Sequence, residues 1–286
     1  VDATEPKLFA EWIGRRSESI DVVSERLVES FRAIFEPHLA LLPADTAPLG
    51  THWCLSPAIA GMDQLGADGH PAKNLFLPPV PLPRRMWAGG ELQVHDHLRV
   101  GDKVRKVSTI QDIVRKQGRS GELWFVAVGH AYHSDRGLAL SERQDIVYRE
   151  AVVPRNGIPP NTSPVDPPTI RPAGQVWSVV PSSTLLFRYS AITFNGHRIH
   201  YDLPYATQSE GYEGLVVHGP IQATLLLNLA ASQGTRMPLT FRCRGVAPAI
   251  ADRELTVRAG IDGRRLWTQG GSGAVHMEAD MDRGPA

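Results

Sequence analysis

Cysteine is scarce: Cys54 and Cys243 are the two in 286 residues. Two distant thiols make neither a disulfide framework nor a zinc-ribbon spacing, so a reducing compartment and two buried small hydrophobes are expected. Long apolar runs are also missing, and nothing approaches the roughly 18 residues needed to cross a bilayer. The opening stretch VDATEPKLFAEWIGRR has no basic region followed by an apolar core. No secretory leader is expected from it, and a cytoplasmic protein is. Net charge is zero, with 30 Lys+Arg against 30 Asp+Glu. That balance gives no reason to expect nucleic acid or an anionic membrane as partner. The glycine pair at 270–271 lacks the strand–GxGxxG–helix surroundings of a phosphate-binding fingerprint.

What is present reads as an ordinary globular chain, 42% hydrophobic and 21% charged, long enough for two units of about 130 residues. The run SIDVVSERLVESFRAIFEP places Ile20, Val23, Leu27, Phe31, Ile34 and Phe35 at steps of three and four. It predicts a helix capped by Ser19 or Asp21 and stopped at Pro37. Segment 71–90, rich in proline, predicts an irregular loop, either an insertion or one wall of a cleft. Beyond it, LQVHDHLRV, KVRKVSTIQDIVRKQ, ELWFVAVGHAYHS and LALSERQDIVYRE are separated by turn signals. They predict an antiparallel meander.

Residues 151–172 hold seven prolines, which excludes a regular helix or central strand. The expected division is a unit over 1–150, a proline-rich linker over 151–175 and a second unit over 176–286. The second unit repeats the helix-then-strands order. Its helix GPIQATLLLNLAASQG has Pro220 in the first turn and Gly234 past the end. It is apolar nearly all round and should be buried. Strands follow in PLTFRCRGVAPAI, RELTVRAGID, RLWTQGGS and AVHMEADM. A buried helix wrapped by antiparallel sheet, twice over, predicts an α+β double hot-dog fold with both sheets joined side by side.

The stretch FNGHRIHYD, residues 194–202, is ambiguous alone: a polar loop, a metal site or a chemical centre. His197-x-x-His200 and His95-x-His97 each offer only two ligands, and zinc wants three or four, so no metal is expected. His130 and His133 fit polar strand positions, and Gly211 to Gly214 fits a turn. Downstream, His218-Gly219-Pro220 opens the buried helix. Unpaired N–H groups and the dipole at a helix start favour negative charge, and glycine admits close approach. Gly219 is therefore a candidate donor to an oxyanion.

The segments RYSAITFNGHRIHYD and EGYEGLVVHGPIQATLL resemble the MaoC-like (R)-specific enoyl-CoA hydratases and dehydratases. EWIGR and LRVGDKV…GELWFVAV…VYRE extend the resemblance over nearly the whole chain. The family signature is an aspartate, then a histidine five later, then a second aspartate. His200 and Asp202 fill the last two positions, while Asn195 stands where the catalytic aspartate is usual. His197 and Arg198 replace an asparagine and a proline. The subgroup that carries the same changes includes hydratases of itaconyl-CoA and mesaconyl-C4-CoA, and fungal mitochondrial dehydratases. The resemblance implies a hydro-lyase with His200, Asn195 and Gly219 catalytic. It implies Arg198, Tyr201, Asp202 and His218 at the substrate, with Arg198 a candidate for a distal carboxylate. The first unit would shape the pocket without contributing catalytic residues. Coenzyme A would be part of the substrate, with no further cofactor; Arg84, Arg85 and Arg188 are candidates for its phosphates. A homodimer is a further expectation. A hot-dog thioesterase and a non-catalytic acyl-CoA or acyl-carrier binding module are the alternatives.

Overall fold

The computed structural model describes residues 8–118, 121–151, 173–234 and 237–283. Most of the expected linker, 152–172, lies outside these, as do residues 119–120 of the turn expected between KVRKVSTIQDIVRKQ and ELWFVAVGHAYHS. The last three positions of the expected linker belong to a strand that begins at Ala173.

Ten strands form one antiparallel sheet. From the first half come β1 (Arg16–Val22), β2 (Arg84–Val94), β3 (Lys103–Gly118), β4 (Gly121–Ser134) and β5 (Gly137–Arg149). From the second come β6 (Ala173–Val179), β7 (Leu239–Gly245), β8 (Leu255–Gly260), β9 (Arg265–Gly270) and β10 (Val275–Arg283). Their spatial order is β1-β3-β4-β5-β2-β7-β10-β9-β8-β6. Each half thus uses the same internal order, and the two are joined edge to edge by β2 and β7. Pairing there runs from Gly89 opposite Arg244 to Val94 opposite Leu239. This closes two inner edges that would otherwise be exposed.

Of the four strands of the predicted meander, the last three are β3, β4 and β5, with turns where the glycines stand. Of the first, LQVHDHLRV, only Leu92 to Val94 are strand, as the end of β2, which lies beside β5 and β7 rather than β3. Two further expectations need correction. The first helix, α1, covers Glu25–Phe35 rather than starting near Ser19. Residues 16–22 pair with β3 instead, and Ile20 is exposed. Ser24 is the cap, its Oγ accepting from Leu27 N–H at 3.2 Å. Edge-strand pairing overrides a helical period there because Ile20 has no core to face, whereas Val23 and the helix residues Leu27, Val28, Phe31 and Phe35 do. Likewise, the loop reading of 71–90 holds only to Pro83. At Arg84 the prolines end and β2 begins. The strand bulges between Trp87 and Gly89, and Gly89 and Gly90 have φ of 130° and 159°. A side chain on either would strike the backbone of the neighbouring strand.

Helix α2 (Ser183–Thr193) and helix α3 (Gly219–Ala231) complete the second half. Every residue of α3 from Ile221 to Ala231 is buried. Two of its three polar side chains are hydrogen-bonded, and the Thr224 hydroxyl has no hydrogen-bond partner among the described residues. Asn228 is tied to Ala40, Leu49 and Thr224, and Gln222 accepts from Thr268 at 2.7 Å. One core unites both halves around α3, and a smaller cluster with Val80, Trp124 and Tyr148 lies under the 76–82 loop. No helix among the described residues is long and apolar enough to cross a membrane.

Candidate active site

The site begins where α2 ends. Phe194 takes the left-handed conformation, φ 50°, and stops the helix. Asn195 then bends the chain: its N–H bonds Ser190 O at 2.9 Å, and its side-chain Oδ1 accepts the His197 N–H at 3.0 Å. This is an Asx turn. It engages the amide oxygen and leaves the Nδ2 donors for a ligand. Residues 198–200 form one 3-10 turn that carries His200 inward.

His200 is 7% exposed. Its Nδ1 lies 2.7 Å from Val216 O, a partner that only accepts. The proton therefore sits on Nδ1, and Nε2 carries the lone pair. Burial pushes its pKa down to about 3, partly opposed by the bond to Val216 and aided by the charge of His70. At neutral pH the imidazole is therefore uncharged. His218 stacks on it, ring centroids 3.5 Å apart and planes 17° from parallel. His218 is fully buried and meets Ser190 Oγ through Nε2 at 2.9 Å. The next residue, Gly219, is the first of α3, followed by Pro220. Helix bonds start with the N–H groups of Ile221 and Gln222, which reach His218 O. The Gly219 N–H therefore heads the helix as an unused donor. Trp87 walls it from the other side. A Cβ at Gly219 would come within 2.5 Å of the Trp87 ring.

Three substrate-binding candidates, Arg198, Asp202 and Tyr201, are bonded within the chain. Arg198 bonds Asp202 Oδ2 through Nε and Nη2 at 2.9 and 2.7 Å, and Ala67 O through Nη1 at 3.0 Å. Its guanidinium also lies 4.2 Å from the Tyr205 ring centre. Asp202 in addition accepts from Tyr205 N–H at 3.1 Å, and that bond together with Arg198 keeps its pKa low. Tyr201 is half exposed, with its hydroxyl donating to Gly196 O at 3.0 Å.

The sequence reading missed a contribution from the first half. Loop 66–70 docks on 196–198: Arg198 N–H bonds Asp68 O at 2.9 Å, and Gly69, φ 84°, presses its Cα against the Gly196 carbonyl. A side chain at 69 would overlap that oxygen. The loop delivers His70, whose Nδ1 lies 2.9 Å from Asp68 Oδ2. Burial works against the Asp68 charge, but the bond and charge of His70 and the charge of Arg85 outweigh it and hold the carboxyl below its usual range. The His70 ring is 4.1 Å from that of His197, which lies 5.4 Å from that of His200. Four imidazoles thus form a row, His70–His197–His200–His218, ending at Asp68 on one side and Ser190 on the other. Asp68, His70 and His197 present ligand atoms within 4.8 Å of one another. His70 Nδ1 and Asp68 Oδ2 are already engaged with each other, and Arg85 adds positive charge. The donor set suits a hydrogen-bonded anion-facing cluster better than a cation.

The profile of the family "Hydroxyacyl-thioester dehydratase type 2" matches residues 50–251. The chain is 41% identical over 276 residues to mesaconyl-C(4)-CoA hydratase of Chloroflexus aurantiacus, covering 96% of this chain and 97% of that protein. It is 24% identical to the mitochondrial hydroxyacyl-thioester dehydratase type 2 of Schizosaccharomyces pombe, covering 86% and 90% of the two chains. Among solved structures, a MaoC-like dehydratase of Phytophthora capsici superposes with a TM-score of 0.64 at 14% identity, over 95% of this chain and 97% of that one. With the duplicated strand order joined at β2 and β7, the fold is a double hot-dog, and the chain belongs to the hydroxyacyl-thioester dehydratase type 2 family.

Proposed function

We propose that the protein catalyses the reversible, syn hydration of an enoyl-CoA thioester, acting on a short branched dicarboxylic acyl group of the mesaconyl-C4-CoA or itaconyl-CoA kind. The observation that carries it is the bond from His200 Nδ1 to Val216 O. It leaves a basic Nε2 on a ring stacked against the residue that precedes the Gly219 amide.

Hydration places a hydroxyl on Cβ and a proton on Cα. His200 Nε2 takes a proton from water, whose oxygen is held by Asn195 Nδ2. The hydroxyl adds to Cβ while negative charge moves to the thioester oxygen. That oxygen lies against the Gly219 N–H, where the α3 dipole adds its field. His200 then returns the proton to Cα on the same face. A buried imidazolium is costly, but the enolate charge opposite offsets that cost as it develops. Asn195 does not titrate, so one base serves both transfers. Coenzyme A enters as part of the substrate, and no separate cofactor takes part.

The test is a panel of enoyl-CoA esters followed by enoyl absorbance and by free thiol. Loss of absorbance without thiol release is the expected result. Thiol release would mean a thioesterase, and neither signal would mean a binding module. Activity that persists in His200→Ala would overturn the assignment of the base.

A further inference from the structure

Three arginines stand near the imidazole row, and two are already engaged within the chain. Arg198 is turned to Asp202 and Ala67. Arg84 is buried in an ion pair with Glu210, whose backbone oxygen it also bonds at 3.3 Å. Arg85 differs from both. It is half-buried, its Nη2 donates to Pro71 O at 3.3 Å, and no carboxylate among the described residues lies in ion-pair contact with it. A guanidinium has five N–H donors in a rigid fork that matches a carboxylate. With one long bond to Pro71 O and the Tyr148 hydroxyl beside it, the guanidinium still has donors of that fork to offer a ligand.

Its position says which ligand. Residues alternate faces along a strand, so Arg85 and Trp87 of β2 share a face. Across the ladder they oppose Tyr148 and Ile146. Trp87 touches Gly219, the donor assigned to the thioester oxygen. Arg85 is thus one side-chain step from the reacting end of the acyl group, whereas the phosphates of coenzyme A lie a pantetheine arm away. The surroundings are net positive. The charge of Arg85 is felt by Asp68, His70, Lys73 and His197. Asp68 is the one carboxylate in that set, and it is bonded to His70. Lys73 directs its ammonium to Val80 O and Leu82 O at 2.9 and 2.6 Å. One negative group against two cations leaves room for a second anion.

The geometry points to Arg85 as the residue that binds the distal carboxylate of a dicarboxylic acyl thioester, with His70 of the 66–70 loop beside it. This rests on the hydration reading and moves the carboxylate site from Arg198, where the sequence motif put it, to the first half of the chain.

The experiment compares mesaconyl-C4-CoA with 3-methylcrotonyl-CoA, in which a methyl replaces the carboxylate, for the wild type, Arg85→Gln and Arg85→Lys. Binding of the unreactive pair succinyl-CoA and butyryl-CoA is measured alongside by calorimetry. The expected result is a loss of about 50-fold in kcat/KM for mesaconyl-C4-CoA in Arg85→Gln. The neutral ester should change less than about threefold, and the succinyl-to-butyryl affinity ratio should collapse. Arg85→Lys should recover part of the loss through charge alone. A ratio of affinities does not depend on how much of a variant folds. Equal losses on both esters, or an unchanged ratio, overturn the assignment. A wild type that hydrates neither ester yet prefers succinyl-CoA, with the preference lost in Arg85→Gln, sinks the hydration reading and leaves the carboxylate site standing. A wild type that hydrates the neutral ester with no preference for a carboxylate does the reverse.

Discussion

The rings of His200 and His218 lie face to face, 3.5 Å between centroids. Two imidazolium ions would not stack so closely in a buried place, so both rings are neutral in the resting site. Burial is the first cause in each case, and in His218 the charges of His200 and His197 add to it. The base is thus held in its proton-accepting form before substrate arrives. The effect on activity has a definite sign. With the His200 pKa at about 3, kcat/KM should stay flat from about pH 8 to about 5 and fall only at lower pH. A profile that halves near the ordinary histidine value would place the catalytic proton on a different, more exposed group.

Replacing the base should separate chemistry from binding. His200→Gln removes the titrating nitrogen but keeps an amide able to reach Val216 O. A loss of about 10²- to 10⁴-fold in kcat is expected, with little change in the affinity for an unreactive acyl-CoA. Asn195→Asp tests the neighbouring position. A carboxylate still accepts the His197 N–H, so the turn survives, but the donors to water are gone and a second ionising group is added. The expected outcome is a slower enzyme with a new limb in its pH–rate profile. An unchanged single-limb profile would mean that residue 195 does not touch the water.

Gly219 is fixed by two demands at once, an amide open to the substrate and a Trp87 ring in contact. In Gly219→Ala the new methyl would sit within 2.5 and 2.9 Å of two Trp87 ring carbons. Either the ring or the helix start must move. The expected cost is about 1–3 kcal/mol of stability from overpacking and about 10²-fold in kcat from displacement of the oxyanion donor. Thermal melts and kinetics of Gly219→Ala, Trp87→Leu and the double variant resolve the two. The double variant should regain stability, since the residues are in contact and their effects are not additive. Full-strength activity in Gly219→Ala would remove the amide from the mechanism.

Acid should unfold the protein earlier than an average chain of this size. His52, His130 and His200 are each driven to a pKa of about 3, burial being the main cause. Their folded pKa values lie below the unfolded one, so between about 3 and 6.5 the unfolded chain binds protons that the folded chain refuses. Stability is therefore full above about pH 6.5 and drains away as pH falls. Each such group gives a slope of about 1.4 kcal/mol per pH unit. Buried Glu142 works the other way, because burial raises its pKa and the folded state takes up its proton first. Buried His197 and His218 are also held below their usual value and add in the same sense as the other histidines, so the net slope should be at least about 3 kcal/mol per pH unit. Urea titrations at about pH 7, 6 and 5 measure it, and a flat series would mean that water reaches these rings.

Some of this was legible in residue order and some was not. The meander of β3 to β5 shows as alternation punctuated by glycine, because each strand pairs with its sequence neighbour. Helix α3 shows because it is apolar on every side and bounded by proline and glycine. His200 and Gly219 show because a short motif and a helix start lie within twenty residues of each other. Asp68, His70, Arg85 and Trp87 do not, since they reach the site through the docking of loop 66–70 and the pairing of β2 with β7. No local period records either event. The written signals were GADGH, with a carboxylate two residues before a histidine, and RRMW, two cations just after the last proline of a loop. Helix α2 was hidden for another reason. Its core-facing residues are only Leu186 and Tyr189, and Phe187 is exposed, so its apolar residues trace no clean stripe.

The strongest stability prediction concerns Asn228, the fully buried amide in the middle of α3. Its Oδ1 accepts from Ala40 N–H at 3.2 Å, and its Nδ2 donates to Leu49 O and to Thr224 O, both at 2.9 Å. Two segments of the first half are thereby fastened to the central helix of the second. Asn228→Leu is close in volume and improves helix propensity, so neither a cavity nor the helix itself explains a loss. What it does is leave the Ala40 N–H and one lone pair of Leu49 O buried without partners, at a cost of about 1–3 kcal/mol each for such groups. A fall of about 2–5 kcal/mol in unfolding free energy is expected, measured by urea denaturation. Asn228→Asp would separate the two sides of the amide. It keeps the acceptor for Ala40 but sets a carboxylate against the Leu49 and Thr224 oxygens, and it should be at least as damaging. If Asn228→Leu proved neutral, the 40–49 segment would have to find other partners, and the fastening would lie in apolar contacts such as Leu49 and Leu55 instead.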